Sequence, residues 1–210
     1  MRLTRLLLCA SAAIGFGTLT LLPAQAVAAD SSPYTVLDPA QPSDTAGKVE
    51  VLEFYAYGCP YCNAFQPFLE KWVKTLPPNV VFHPVPVDID AGGAALQKLY
   101  YTLQSMGRLD LHDAVFKAIH EEHKPLFDAK AIGDWLATKG VDRAKFDATF
   151  NSFGVQTKVK RAIELSTAYH IEGTPTLAIG GQYLTSPSQA NGYQAAIVEA
   201  QKLLEKVLKK

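Results

Sequence analysis

The sequence predicts an α/β protein in which a small sheet is interrupted by an all-helical subdomain. Three observations carry this. Between Val49 and Val87, an apolar β-branched and aromatic run, a short motif, an amphipathic helix and a second apolar run follow one another. Residues 91–169 then show helical periodicity and no convincing strand. A strand pair split by Gly180-Gly181 and one last amphipathic helix close the chain. The 210 residues are 48% hydrophobic and 19% charged, a globular composition that excludes a disordered chain.

Residues 1–26 read as a secretory signal peptide. Arg2 and Arg5 precede a mostly apolar run from Leu6 to Leu22, and Ala24-Gln25-Ala26 and Ala26-Val27-Ala28 then offer small-x-small cleavage sites. Cys9 lies inside the apolar run, too early to carry a lipid anchor. No other window reaches the roughly 18 apolar residues of a spanning helix. Cleavage after Ala26 removes two of the 20 basic residues and none of the 20 acidic ones, leaving a formal charge of −2. That balance gives no electrostatic basis for binding nucleic acid or an anionic membrane. Cleavage also removes Cys9, so the exported chain keeps two cysteines, Cys59 and Cys62.

Residues 27–47, rich in Pro, Ser, Asp and Thr, read as an irregular lead-in. Val49–Tyr57 reads as a buried strand. The helix after it, over 63–75, presents Phe65, Phe68, Leu69, Trp72, Val73 and Leu76 on one side, with Pro67 expected to kink it. Val80–Val87 reads as a second strand, parallel to the first. Pro84 and Pro86 lack N–H donors and place it at an edge or make it irregular. Helices are expected at 93–106, 110–121, 128–138, 142–150 and 155–169, broken at Gly107, Pro125, Gly140 and Gly154, with Asp128 and Asp142 as N-caps. Phe116, Ile119, Leu126, Phe127, Trp135 and Leu136 read as their core. Thr176–Gly180 and Gln182–Thr185 form the hairpin, and 188–209 the last helix. The sheet domain is thus split into 48–90 and 170–210 around an insert at 91–169.

Structural disulfide frameworks use several widely spaced cysteines. A lone pair three positions apart closes a tiny loop and constrains the unfolded chain little, so Cys59-Pro60-Tyr61-Cys62 points to chemistry. Thiolate, not thiol, attacks a disulfide, and an ordinary cysteine is mostly protonated near neutral pH. The motif sits where a strand gives way to a helix. Pro60 suits the first helical position, and the positive end of the helix favours Cys59 as thiolate. Cys62, one turn deeper, can return to resolve a mixed disulfide on Cys59. A zinc site needs two further ligands, and His83, His112, His120, His123 and His170 lack the spacing to supply them. His120-Glu121-Glu122-His123 is not a His-Glu-x-x-His pattern and reads as a solvated helix end. No metal and no cofactor is expected.

Two more features join the cysteines. Strand alternation puts Glu53 on the face of Val51 and Tyr55, opposite Phe54. It reads either as an exposed strand charge or as a partly buried acid that exchanges protons with Cys62, its pKa raised by burial. Thr174-Pro175 opens the second strand region, where a proline fits and an X-Pro bond is either a plain turn or a cis bond that leaves the Thr174 backbone free for a substrate chain. Tyr57, Tyr61 and this loop read either as an apolar rim for unfolded peptides or as ordinary surface burial.

The stretches VLEFYAYGCPYC, LHDAVFKAIHEEHKPLFD and GTPTLAIGGQY together resemble the DsbA family, periplasmic oxidases with a thioredoxin-like fold and an inserted helical domain. The resemblance implies that Cys59 is the nucleophile, Cys62 the resolving cysteine, Glu53 the buried acid and Pro175 a cis-proline preceded by Thr174. It implies a periplasmic location. The implied partners are reduced, unfolded secreted proteins and a membrane reoxidase of the DsbB type, with the protein itself a monomer. Two departures bear on its strength as an oxidant. Tyr61 stands where the family usually has His, and Pro84 where relatives often carry Lys or Arg near the buried acid. Tyr61 and Thr174 also match isomerases of the DsbC and DsbG type, which need an N-terminal dimerisation domain that 27–47 is too short to form. A non-enzymatic peptide-binding protein on the same scaffold is the third reading.

Overall fold

The computed structural model describes residues 32–88 and 92–209. The expected signal peptide, Cys9 and both cleavage sites lie outside the described residues.

Five strands form one mixed sheet in the order β1-β5-β4-β2-β3: β1 (Thr35–Val36), β2 (Val49–Tyr55), β3 (Val80–Pro86), β4 (Thr176–Ile179) and β5 (Tyr183–Thr185). β2 runs parallel to β3, and every other neighbouring pair is antiparallel. Every β2 residue from Glu50 to Tyr55 is buried, so both faces of this strand are covered, Glu50 and Glu53 included. Helices α1 (Pro60–Val73) and α7 (Tyr193–Leu208) cover one face, where Phe65, Leu69 and Leu203 pack with Val51, Leu177 and Ile179. Leu52, Phe54 and Ala178, which alternate with those strand residues, join the larger core shared with the helical segment. β3 is an edge strand, as its prolines require.

Between β3 and β4 lie α2 (Gly93–Met106), a 3₁₀ turn (Leu109–Leu111), α3 (His112–His120), α4 (Ala129–Thr138), α5 (Arg143–Phe150) and α6 (Phe153–Ala168). Gly107 ends α2 in the left-handed region at φ 68°. Asp128 and Asp142 cap α4 and α5, accepting from Ala131 N at 2.8 Å and Lys145 N at 2.7 Å. Arg161 of α6 grips Asp44 through two hydrogen bonds of 2.8 Å, tying the helical segment to the lead-in.

Several boundaries and one core assignment differ from the sequence reading. The lead-in is not wholly irregular: Thr35 and Val36 pair with β5, and Leu37 N donates to Gln182 O at 2.8 Å. Two residues are too few for alternation to show. α1 begins at Pro60 and runs unbroken through Pro67, while α7 begins only at Tyr193, after Asn191 and Gly192 adopt positive φ. The helix expected at 110–121 is preceded by the 3₁₀ turn and ends at His120. Phe127, read as core, is 57% exposed, because its neighbour Leu126 takes the inward position in the non-helical link between α3 and α4. Phe116, Leu126, Trp135 and Leu136 are buried, and Ile119 packs partly buried against them.

Candidate active site

Cys59 is the N-cap of α1, extended at φ −78° and ψ 115°, with Pro60 opening the first turn. Its Sγ accepts from Cys62 N at 3.3 Å, taking up one of the N–H groups that a helix start leaves without a partner. The Cys59 thiol also reaches the Thr174 carbonyl at 3.5 Å. Both thiols are free, Cys59 at 6% exposure and Cys62 at 0%. Their proton affinities are driven apart. A hydrogen bond from the Cys62 thiol, helped by the Thr174 side chain and by the backbone N–H groups of Cys62 and Tyr61, outweighs partial burial and lowers the Cys59 pKa to about 6. Burial above all, and then the neighbouring Cys59, push Cys62 far upward. The outer sulfur is a thiolate at neutral pH and the inner one holds its proton.

Glu53 is wholly buried, at 1% exposure. Burial raises its pKa to about 8, against a lowering by Gln66 and with a further rise from the charge on Cys59. Gln66 Nε2 donates to Glu53 Oε1 at 3.2 Å. Across the β2–β3 pair, Glu53 faces Pro84, which offers neither a cation nor an N–H. Sequence reasoning missed Gln66. Its signal was a polar residue one turn beyond Cys62, among the apolar Phe65, Leu69 and Trp72.

The Thr174–Pro175 bond is cis, as is Asp38–Pro39. An open groove of about 990 Å³ starts at Tyr61, Thr174 and Pro175 and runs to Val36 of β1 and Leu184 of β5. Tyr61 is 66% exposed at its mouth. Tyr57, expected on the same rim, is buried at 1% exposure: its ring packs 4.9 Å from Phe116 and its hydroxyl bonds His112 Nδ1 at 2.7 Å. Burial lowers the His112 pKa to about 4, so this is a contact between neutral groups. The stretch 120–123 is a solvated helix end only from Glu121 onward. His120 turns inward, its Nε2 2.7 Å from the Tyr57 carbonyl oxygen. Among the described residues no group of three or more His, Cys, Asp or Glu could hold a metal.

Two sulfurs of opposed proton affinity, one helical turn apart, are built to exchange disulfides rather than to seal a fold. On this sheet, with its helical insert, they define a thiol–disulfide oxidoreductase of the thioredoxin fold. The chain belongs to the DSBA-like thioredoxin domain family, whose model matches residues 50–198. It is 52% identical over 202 residues to the thiol:disulfide interchange protein DsbA of Bordetella pertussis, covering 96% of this chain and 95% of that one. The DsbA of Pseudomonas aeruginosa is 38% identical over 174 residues, 82% of each chain. The crystal structure of Pseudomonas aeruginosa DsbA superposes with a TM-score of 0.81, covering 85% of this chain and 95% of that one. The oxidoreductase NmDsbA1 of Neisseria meningitidis, 26% identical, superposes with a TM-score of 0.74 over 85% of this chain and 93% of that one.

Proposed function

We propose that the protein acts as a disulfide donor to reduced, unfolded secreted polypeptides in the periplasm, with Cys59 as the sulfur that is attacked. One observation carries this: Cys59 is pulled down to about 6 at the helix mouth while Cys62 is pushed up. A pair whose reduced form is stabilised in this way gives up its disulfide readily.

The steps follow from the two sulfurs. A substrate thiolate attacks Cys59 Sγ; the Cys59–Cys62 bond breaks and its electron pair stays on Cys62, which takes up a proton. Glu53, protonated below about pH 8, is the buried acid that supplies that proton directly or through the interior of the site. A second substrate thiolate then attacks the substrate sulfur of the mixed disulfide. The substrate leaves with a disulfide and Cys59 leaves as a thiolate, the stable form of that residue. Thr174 and Pro175 flank the attacked sulfur, Tyr61 rims the groove, and Pro60 and Tyr61 tune the motif. A membrane reoxidase of the DsbB type returns the pair to the disulfide. The protein works as a monomer, with residues 48–90 and 170–210 as the sheet domain and 91–169 as the insert.

The test is to mix oxidised protein with a reduced, unfolded substrate and count free thiols on both. A donor loses two oxidising equivalents to the substrate, and Cys59→Ala abolishes the transfer. A distribution of thiols left unchanged by the wild type would make this a binding protein. Activity confined to reshuffling scrambled disulfides, without net oxidation, would make it an isomerase.

A further inference from the structure

The turn that delivers Cys59 to α1 is held from outside the sheet domain. Tyr57 lies two residues before the nucleophile, and α3 of the helical insert grasps it at both polar ends. His112 Nδ1 meets its hydroxyl at 2.7 Å, and His120 Nε2 lies 2.7 Å from its carbonyl oxygen. Phe116, one turn before His120 on the same helix, packs on the Tyr57 ring at 4.9 Å and stacks with the His120 ring at 6.2 Å. Tyr57 is itself buried at 1% exposure, so its carbonyl needs a donor, and His120 provides one.

That carbonyl belongs to the peptide plane between Tyr57 and Gly58. Gly58 is the one link between this plane and Cys59, whose own N–H returns to Ala56 O at 3.1 Å. Fixing the plane fixes the direction from which the chain enters the N-cap. Cys59 Sγ stays over the helix mouth, 3.3 Å from Cys62 N, only while Cys59 keeps its capping conformation. We propose that His120 is a positioning residue for the thiol chemistry: through its hydrogen bond to the Tyr57 carbonyl, the helical insert holds Cys59 in the orientation that ionises it. The proposal rests on the reading of Cys59 as the low-pKa nucleophile.

The experiment uses the full mature chain with His120→Met and His120→Gln. Met fills the space without a donor; Gln places an amide N–H near the Nε2 position without the ring. The readout is the pH profile of iodoacetamide alkylation mapped to Cys59, alongside the thermal midpoint. We expect Met to move the Cys59 profile to higher pH, with alkylation about threefold to tenfold slower in the mildly acidic range, the scale of one lost hydrogen bond, and Gln to restore the wild-type profile. A wild-type profile in the Met variant, even with a lowered midpoint, overturns the proposal and leaves His120 a packing residue. An equal shift in both variants also overturns it, because ring packing and not the donor would then matter. Should the Met variant fail to fold, His120→Leu, which also lacks a donor, takes its place: a profile moved to higher pH supports the proposal and a wild-type profile overturns it. If the wild-type protein itself alkylates like a simple peptide thiol, it is the assignment of Cys59 that fails, a result separate from any difference between the variants.

Discussion

The Cys59 Sγ lies 3.5 Å from the carbonyl oxygen of Thr174, a residue 115 positions further along the chain. The contact closes the sheet domain across the whole helical insert. It also places the cis-proline loop beside the sulfur proposed above as the one a substrate thiolate attacks.

The Cys59 thiolate exists only in the reduced protein. Its folded pKa of about 6 lies below its ordinary value near 9. A depressed pKa stabilises the fold fully above the unfolded value, and this is lost as pH falls through the folded one. The stability of the reduced protein relative to the oxidised one is therefore expected to rise with pH from about 6 to about 9. Thermal unfolding of both forms across that range checks it, and a pH-independent difference would contradict the lowered pKa.

Glu53 has the opposite sign. Its folded pKa of about 8 lies above its ordinary value of 4.5, so its contribution is present at low pH and is lost as pH rises from about 4.5 to about 8. Glu53→Gln should thus gain stability relative to wild type across that window, by on the order of a few kcal/mol at its upper end. With Glu53 as the proposed proton donor, the same variant should slow turnover by about a hundredfold. Denaturant titrations at the two ends of the window and a thiol-transfer assay measure both effects.

Gln66 is expected to act through Glu53 alone. Its amide lowers the Glu53 pKa. Gln66→Leu should leave a still more basic Glu53 and move the stability loss to higher pH, while the alkylation profile of Cys59 stays close to wild type. A shift of the Cys59 profile as large as that of Glu53 would show that the amide serves the cysteine directly.

Tyr61→His tests the departure inside the motif. Tyr61 is solvent-exposed and carries no positive charge. A histidine there adds imidazolium character beside the sulfur, so the Cys59 pKa should fall further and the variant should become the stronger oxidant. Equilibration with a glutathione series should show a reduced fraction shifted by about tenfold in equilibrium constant for each further pKa unit. An unchanged or raised Cys59 pKa in the variant would contradict the argument.

Much of the architecture was legible because it is written in local periodicity. The boundaries 93–106 for α2 and the N-caps Asp128 and Asp142 stand in the structure as the sequence indicates. Local reasoning also found the cysteine motif, since a strand, a proline and a helix in succession dictate an N-cap at Cys59. It failed where a residue's fate depends on distant partners. Tyr57 looked like part of an apolar rim and is buried because α3 covers it. His120 looked solvated and instead reaches back 63 positions to Tyr57. Phe127 looked like core and lost that place to its neighbour Leu126.

The sequence by itself determined the two sulfurs, their spacing, the helix that starts between them and the order of sheet and insert, because each follows from neighbours a few residues apart. Only the tertiary structure decided the proton affinities and the walls of the site. Burial, and the meeting of Glu53 with Gln66, of Cys59 with Thr174 and of Tyr57 with His120, arise when segments far apart in the chain exclude water from the same space.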